Sequence, residues 1–118
     1  MLPSLLVFAT VIGAVLCGTV SQPQISALQA LYMSTNGDAW TWKLNYTEFG
    51  IPWNFTDASP CRDLWQGVTC TFNCSVLPES DILDIELTNY SMVGTIPTVL
   101  VQLTELVNLG LAENGIYG

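Results

Sequence analysis

A self-similarity at a step of 24 residues constrains this chain more than any other feature. Ile82, Ile85, Leu87, Met92, Gly94, Ile96, Pro97, Leu100 and Leu103 recur at unequal but definite spacings. A shift of 24 carries Ile82 onto Leu106, Ile85 onto Leu109, Leu87 onto Leu111, Met92 onto Ile116 and Gly94 onto Gly118. A period of this size marks a solenoid, whose units are each too small to bury their own apolar face and therefore stack. The Ile85-x-Leu87 and Leu109-x-Leu111 steps predict short strands with two residues pointing inward. Asp84, Glu86 and Thr88 of the first unit, and Asn108, Gly110 and Ala112 of the second, then point outward.

A different pattern precedes the repeats. Ile25, Leu28, Leu31 and Tyr32 fall at helical spacing. Ser21 is placed to cap that helix, Pro23 suits its first turn, and Asn36-Gly37 predicts a left-handed stop. Residues 38–60 read as irregular and hold Trp40, Trp42, Tyr46, Phe49, Trp53 and Phe55. These aromatics are expected to plug the open end of a small core; a carbohydrate site is the alternative.

The N-terminus reads as a targeting segment. Leu2 to Val20 carries no charge, and Thr19-Val20-Ser21 offers small residues where a signal peptidase would cut. Cleavage is expected after Ser21, with Cys17 and Gly18 as alternative positions and an uncleaved membrane anchor as the rival reading. Sequons at Asn45, Asn54, Asn73 and Asn89 agree with export. After removal of Cys17, the odd set Cys61, Cys70 and Cys74 remains, so one thiol is free or paired outside this segment. A zinc site would need a fourth ligand, and the chain has no histidine to supply it. No metal site is expected.

Charge removes other classes of function. The net charge is -8, with Lys43 and Arg62 as the cations. A phosphate backbone would be repelled, and no polybasic run exists to hold an anionic membrane. Asp84 and Glu86 share a strand face, but no nucleophile elbow, phosphate loop or metal constellation accompanies them. No catalytic residue and no cofactor are expected.

The residues match a known family. Leu106-x-x-Leu109-x-Leu111-x-x-Asn114-x-Ile116-x-Gly118 resembles the plant-type leucine-rich repeat, as does Gly94-Thr95-Ile96-Pro97-x-x-Leu100-x-x-Leu103. The upstream stretches Ala27-Leu28-x-Ala30-Leu31-Tyr32, Thr35-Asn36-Gly37-x-x-Trp40 and Cys61-x-x-x-Trp65-x-Gly67-Val68-Thr69-Cys70 resemble the N-terminal cap of that family. The resemblance covers residues 24–118. It implies a second short strand at the Gly-x-Ile-Pro step, a Cys61–Cys70 disulfide within the cap, and a ladder role for Asn114, whose side chain bonds backbone groups of neighbouring turns. Tyr90 occupies the corresponding place of the first repeat, which departs from the pattern.

The expected fold is thus an α/β solenoid: a cap of helix, aromatic segment and disulfide, then about two repeats with short parallel strands. The expected division is a signal peptide at 1–21, the cap at 22–81, repeat 1 at 82–105 and an incomplete repeat 2 at 106–118. The resemblance implies an extracellular module, secreted or on the outer face of the plasma membrane, that binds a protein or peptide ligand on its concave strand face. A structural wall or matrix protein is the alternative. An ectodomain of a receptor kinase whose catalytic domain is absent here is a remoter one, with membrane attachment through a downstream span. Because two repeats fall short of the three or so a solenoid needs, a fragment or an incomplete gene model is expected.

Overall fold

Helical spacing near the N-terminus and the 24-residue step near the C-terminus each produce the elements they encode. The computed structural model describes residues 19–71 and 79–118. Residues 1–18 of the expected signal segment, together with Asn73 and Cys74, lie outside the described residues. The elements in chain order are α1 (Gln22–Ser34), a 3₁₀ turn at Gly37–Ala39, α2 (Tyr46–Phe49), a 3₁₀ turn at Phe55–Asp57, β1 (Val68–Cys70), β2 (Ile82–Glu86), β3 (Val93–Gly94), a 3₁₀ turn at Thr98–Gln102, β4 (Asn108–Gly110) and β5 (Gly115–Ile116).

The main sheet runs β1-β2-β4. Strands β2 and β4 pair in parallel with Asp84 opposite Asn108, Ile85 opposite Leu109 and Glu86 opposite Gly110. That register is the sequence period itself. Strand β1 lies antiparallel on the other edge of β2, with Val68 opposite Ile85 and Thr69 opposite Asp84. A second, two-stranded sheet pairs β3 with β5 in parallel. Here Gly94 faces Ile116 rather than the Gly118 that the 24-residue equivalence supplies. The linking turns explain the stagger: the first bends through left-handed Asn89 and Ser91, the second through left-handed Glu113, so the two chains arrive out of step.

The core lies between α1 and the inner face of β2. Ala27, Leu28 and Leu31 of the helix, Ile82 and Ile85 of the strand, and Leu87 and Met92 beyond it are all fully buried. Helix α1 ends as the sequence predicts, with Asn36 in the left-handed region at φ 60. Its start differs. The Ser21 hydroxyl does not cap the backbone but accepts from Gln24 Nε2 at 3.1 Å. Gln24, itself buried, also donates to Asp81 and accepts from the Ile82 N–H, which ties the helix to the start of β2. At its other end α1 meets β3. The Val93 N–H donates to the Thr35 carbonyl, and the Ser34 hydroxyl donates to the Thr95 carbonyl. Gly94 permits this approach: its φ is +147, and a β-carbon there would run into the Ser34 carbonyl.

Residues 38–60 are more ordered than their lack of periodicity suggests. Asn45 caps α2 by accepting from the Glu48 N–H, and Asn54 accepts from the Thr56 N–H at the next turn. Trp40, Trp42, Trp53 and Phe55 join Tyr32 and Trp65 in one continuous aromatic cluster, with Trp53 stacked on Trp65 at 5.5 Å. Trp40 and Trp53 are 4% and 6% exposed, so their faces pack protein and not ligand. Tyr46 and Phe49 stand outside the plug and are exposed. Cys61 and Cys70 are joined by a disulfide, with Cα atoms 5.9 Å apart, which fastens this block to β1.

Gln66 binds the irregular block to the first repeat. Its buried amide donates to the Lys43 and Gly50 carbonyls at 2.7 and 3.0 Å, and accepts from the Lys43 N–H and the Tyr90 hydroxyl at 3.0 and 2.9 Å. Tyr90 is therefore an anchor to the upstream block and not a member of an asparagine ladder. Asn114 fills the ladder role in the next turn: it accepts from the Tyr90 and Met92 N–H groups and donates to the Leu87, Leu111 and Ala112 carbonyls.

Candidate functional site

The parallel pairing of β2 and β4 sets Asp84 and Glu86 beside Asn108 and Gly110, and Thr88 and Ala112 follow just past the strand ends. Each outward residue of the first repeat meets its equivalent 24 residues on, because a parallel ladder in register repeats the same face. Asp84 accepts a hydrogen bond from Asn108 Nδ2 at 2.8 Å. Glu86 accepts from the Thr88 hydroxyl. Its carboxylate also lies across Gly110, where a β-carbon would collide with it. Asn108 and Ala112 are exposed, and Asp84, Thr88 and Gly110 half-buried. The structure thus assembles Asp84, Glu86, Thr88, Asn108, Gly110 and Ala112 into one shallow polar face. Two carboxylates stand on it, and none of the Lys43 or Arg62 charge reaches it: Lys43 Nζ sits 5.2 Å from the Tyr90 ring, and Arg62 pairs with Asp63.

Two open clefts flank the block. One, of about 300 Å³, adjoins the strand face and is walled by Glu48, Phe49, Leu64, Trp65, Thr69 and Glu86. The other, of about 540 Å³, lies between Tyr32, Met33, Asp38, Asn54 and Phe55. At the second cleft the Tyr32 hydroxyl donates to Asp38 at 2.7 Å. Burial first, then that bond and the Asp38 charge, push the Tyr32 phenol up to about 12. Burial raises the Tyr90 phenol as well.

The sequon asparagines that the structure describes have distinct surroundings. Asn45, Asn54 and Asn89 are all exposed, the first two capping turns and the third in the left-handed region at φ 61. Among the described residues, no group of histidine, cysteine, aspartate or glutamate could hold a metal ion, and no helix is long and apolar enough to cross a membrane.

Comparison with known proteins shows what the fold is similar to. No family model matches the chain. Over 64 residues, 54% of its length, the chain is 36% identical to the receptor-like protein kinase HSL1 of Arabidopsis thaliana, of which that stretch is 6%. In fold it resembles the leucine-rich-repeat ectodomain of the receptor kinase SOBIR1 from Arabidopsis thaliana, with a TM-score of 0.55 and 21% identity, over 83% of this chain and 44% of that one. Its fold is that of the leucine-rich-repeat proteins, and over about half its length its sequence is similar to a plant receptor-like kinase. Leucine-rich-repeat proteins of Bacteroides eggerthii and Bacteroides thetaiotaomicron share the fold, with TM-scores of 0.54 and 0.55 at 24% identity, over 74% of this chain and 12% and 10% of theirs. The chain therefore spans less than half the length of each of these relatives. Within the leucine-rich-repeat frame, Ile85 and Leu109 are equivalent strand positions, and the side strand β3, Val93–Gly94, ends on the first residue of the Gly94-Thr95-Ile96-Pro97 step.

Two functional placements were hidden from the sequence reading. Gln66 looks like any surface glutamine in the string, yet it is fully buried and carries the junction to Tyr90. Leu64, an unspecified position between Cys61 and Trp65 in the sequence reading, is 62% exposed. The neighbouring Trp65 was the available signal for the first, since it is buried and Gln66 follows it directly. No sequence signal marked the second.

Proposed function

We propose that this chain is an extracellular recognition module that binds a protein or peptide ligand on the outward face of β2 and β4. The observation that carries the reading is the in-register pairing of Asp84 and Glu86 with Asn108 and Gly110, with Thr88 and Ala112 just past the strand ends. A flat, polar, acidic strip of this kind offers hydrogen-bond acceptors without a catalytic group, which suits binding and not turnover. The likeness to a receptor-like kinase over part of the chain supports a receptor ectodomain or secreted binder as its context.

In this reading residues 1–21 are the signal peptide, 22–81 the N-terminal cap, 82–105 the first repeat and 106–118 the start of the second. The cap role follows from what α1, β1 and the aromatic cluster cover, namely the edge of β2 that would otherwise expose unpaired backbone and leucines. Asn45, Asn54, Asn73 and Asn89 are proposed glycosylation sites, with the module secreted or on the outer face of the plasma membrane.

The test uses the chain expressed with its own N-terminus in a eukaryotic secretory host. Export, glycan mass at the sequons and the N-terminal residue are read by mass spectrometry. The exported protein is then panned against a random peptide library, with Ala112→Trp as a variant that blocks the strand face without adding charge. Binders lost on Ala112→Trp support the reading. A chain retained in the cytosol, or binders indifferent to that variant, would refute it.

A further inference from the structure

The strand face continues past β1 into the groove of about 300 Å³ between α2 and β2, and the walls of that groove carry an unusual combination. Leu64 and Phe49 present apolar surface to solvent, 62% and 44% exposed. Leu64 does so from a left-handed backbone, φ 57, where glycine or asparagine is the ordinary occupant and a leucine is strained. The Ile51 N–H donates to the Leu64 carbonyl at 2.9 Å, which fixes the turn in place. A strained backbone that holds an apolar side chain out of the core contributes nothing to packing, and such outliers concentrate at functional surfaces. Behind it, Trp65 is 2% exposed, and its Nε1 has no hydrogen-bond partner among the described residues.

The charge of the groove is one-sided. Glu48 and Glu86 line it, and no lysine or arginine does. Asn45 and Thr88 each donate a hydrogen bond to one of these carboxylates but neutralise neither. In a chain of net charge -8, with both cations engaged elsewhere, the local potential is negative.

We propose that this groove takes a short segment of a partner polypeptide in which an apolar side chain stands next to lysine or arginine. The apolar side chain rests on Leu64 and Phe49, and the cation meets Glu86 and Glu48. This rests on the strand face being the recognition surface, since Glu86 belongs to both. It adds a partner chemistry, basic and apolar together, and an anchor point at the β1 side of the face.

Three synthetic peptides of equal length test it on the exported full chain: one alternating Lys and Leu, one alternating Glu and Leu, one alternating Lys and Ser. The Lys-Leu peptide should bind at least about tenfold tighter than either of the others, because each of those lacks one of the two contacts. Leu64→Gly should weaken it about tenfold while leaving the fold as stable or more so, since glycine relieves the backbone. Glu48→Gln with Glu86→Gln should weaken it about fivefold and flatten its salt dependence. Val101→Ser, on the exposed 3₁₀ turn and lining neither the groove nor the strand face, should leave it within about twofold. Loss of Lys-Leu binding in Ala112→Trp but not in Leu64→Gly would overturn the groove while leaving the strand-face reading intact. Equal binding of the Lys-Leu and Lys-Ser peptides would also overturn it. Failure of all three peptides together with an empty library screen would remove both.

Discussion

Replacing Gln66 by leucine should unfasten the aromatic block from the first repeat. The side chain is fully buried and makes four hydrogen bonds, two as donor and two as acceptor. Leucine has a similar volume and offers none. Each partner left unpaired costs about 1 kcal/mol or somewhat more, which for four groups gives about 4 to 5 kcal/mol. Water can reach part of the Lys43 and Gly50 backbone, and a buried leucine regains about 1 to 2 kcal/mol of transfer energy. The net loss should be about 2 to 4 kcal/mol, a large share of the 5 to 15 kcal/mol typical of a whole domain. Urea denaturation of the exported chain, followed by tryptophan fluorescence, measures it. Tyr90→Phe alone should cost about 1 kcal/mol, and less in the Gln66→Leu background, where its hydroxyl has already lost its acceptor. If Gln66→Leu fell within about 0.5 kcal/mol of wild type, or if the two losses simply added, the amide would not be the fastening described.

Gly94→Ala should destabilise the chain by about 2 to 4 kcal/mol in the same assay, because a β-carbon there meets the Ser34 carbonyl and the φ of +147 disfavours it. A cost near zero would mean that α1 and β3 part easily. Asn114→Ala should raise amide hydrogen exchange at Tyr90 and Met92, whose N–H groups it holds, and around Leu109 and Leu111, while Leu28 and Leu31 stay protected. Uniform loss of protection would show that the last turn does not open separately. Alkaline titration at the tyrosinate absorbance should show Tyr32 ionising near pH 12 against an ordinary value of 10.0, and Asp38→Asn should lower it. Since the folded state favours the neutral phenol, this contribution to stability is intact below pH 10.0 and is lost as the pH rises towards 12. An unchanged midpoint in Asp38→Asn would discount the bond to Asp38.

The repeat was legible because burial imposes it. Ile85 is fully buried, and Leu109, paired beside it but 38% exposed, repeats its place in the next coil, so their spacing survives as a period and gives the β2–β4 register directly. The turns between strands escape that constraint, and the two-residue stagger of β3 against β5 follows from the left-handed positions at Asn89, Ser91 and Glu113, which no apolar pattern records. The helix was legible from Leu28 and Leu31, but not its buried Gln24, since a glutamine satisfied by Ile82 and Asp81 is spelled like one in water. Strand β1 went unread for a related reason. Val68 to Cys70 is too short to show alternation, and its pairing partner lies outside its own neighbourhood in sequence. On the candidate face, the outward positions came from the strand period, whereas the lie of Glu86 over Gly110 depends on side-chain reach and required coordinates.

The antiparallel setting of β1 has a consequence for how such a chain is made. Everything that β2 needs for its first edge, including α1, the aromatic cluster, Gln66 and the disulfide, precedes it in the sequence. A nascent chain leaving the ribosome N-terminus first therefore presents a finished template before β4 is synthesised. Each later coil needs just the coil already laid down, so closure distances stay near one period however long the array becomes. The reversed strand also gives assembly a direction: its outer edge cannot serve as a parallel partner in the same register, and growth proceeds from β4 alone. The strand order thus lets folding run from the N-terminus onward without the whole chain.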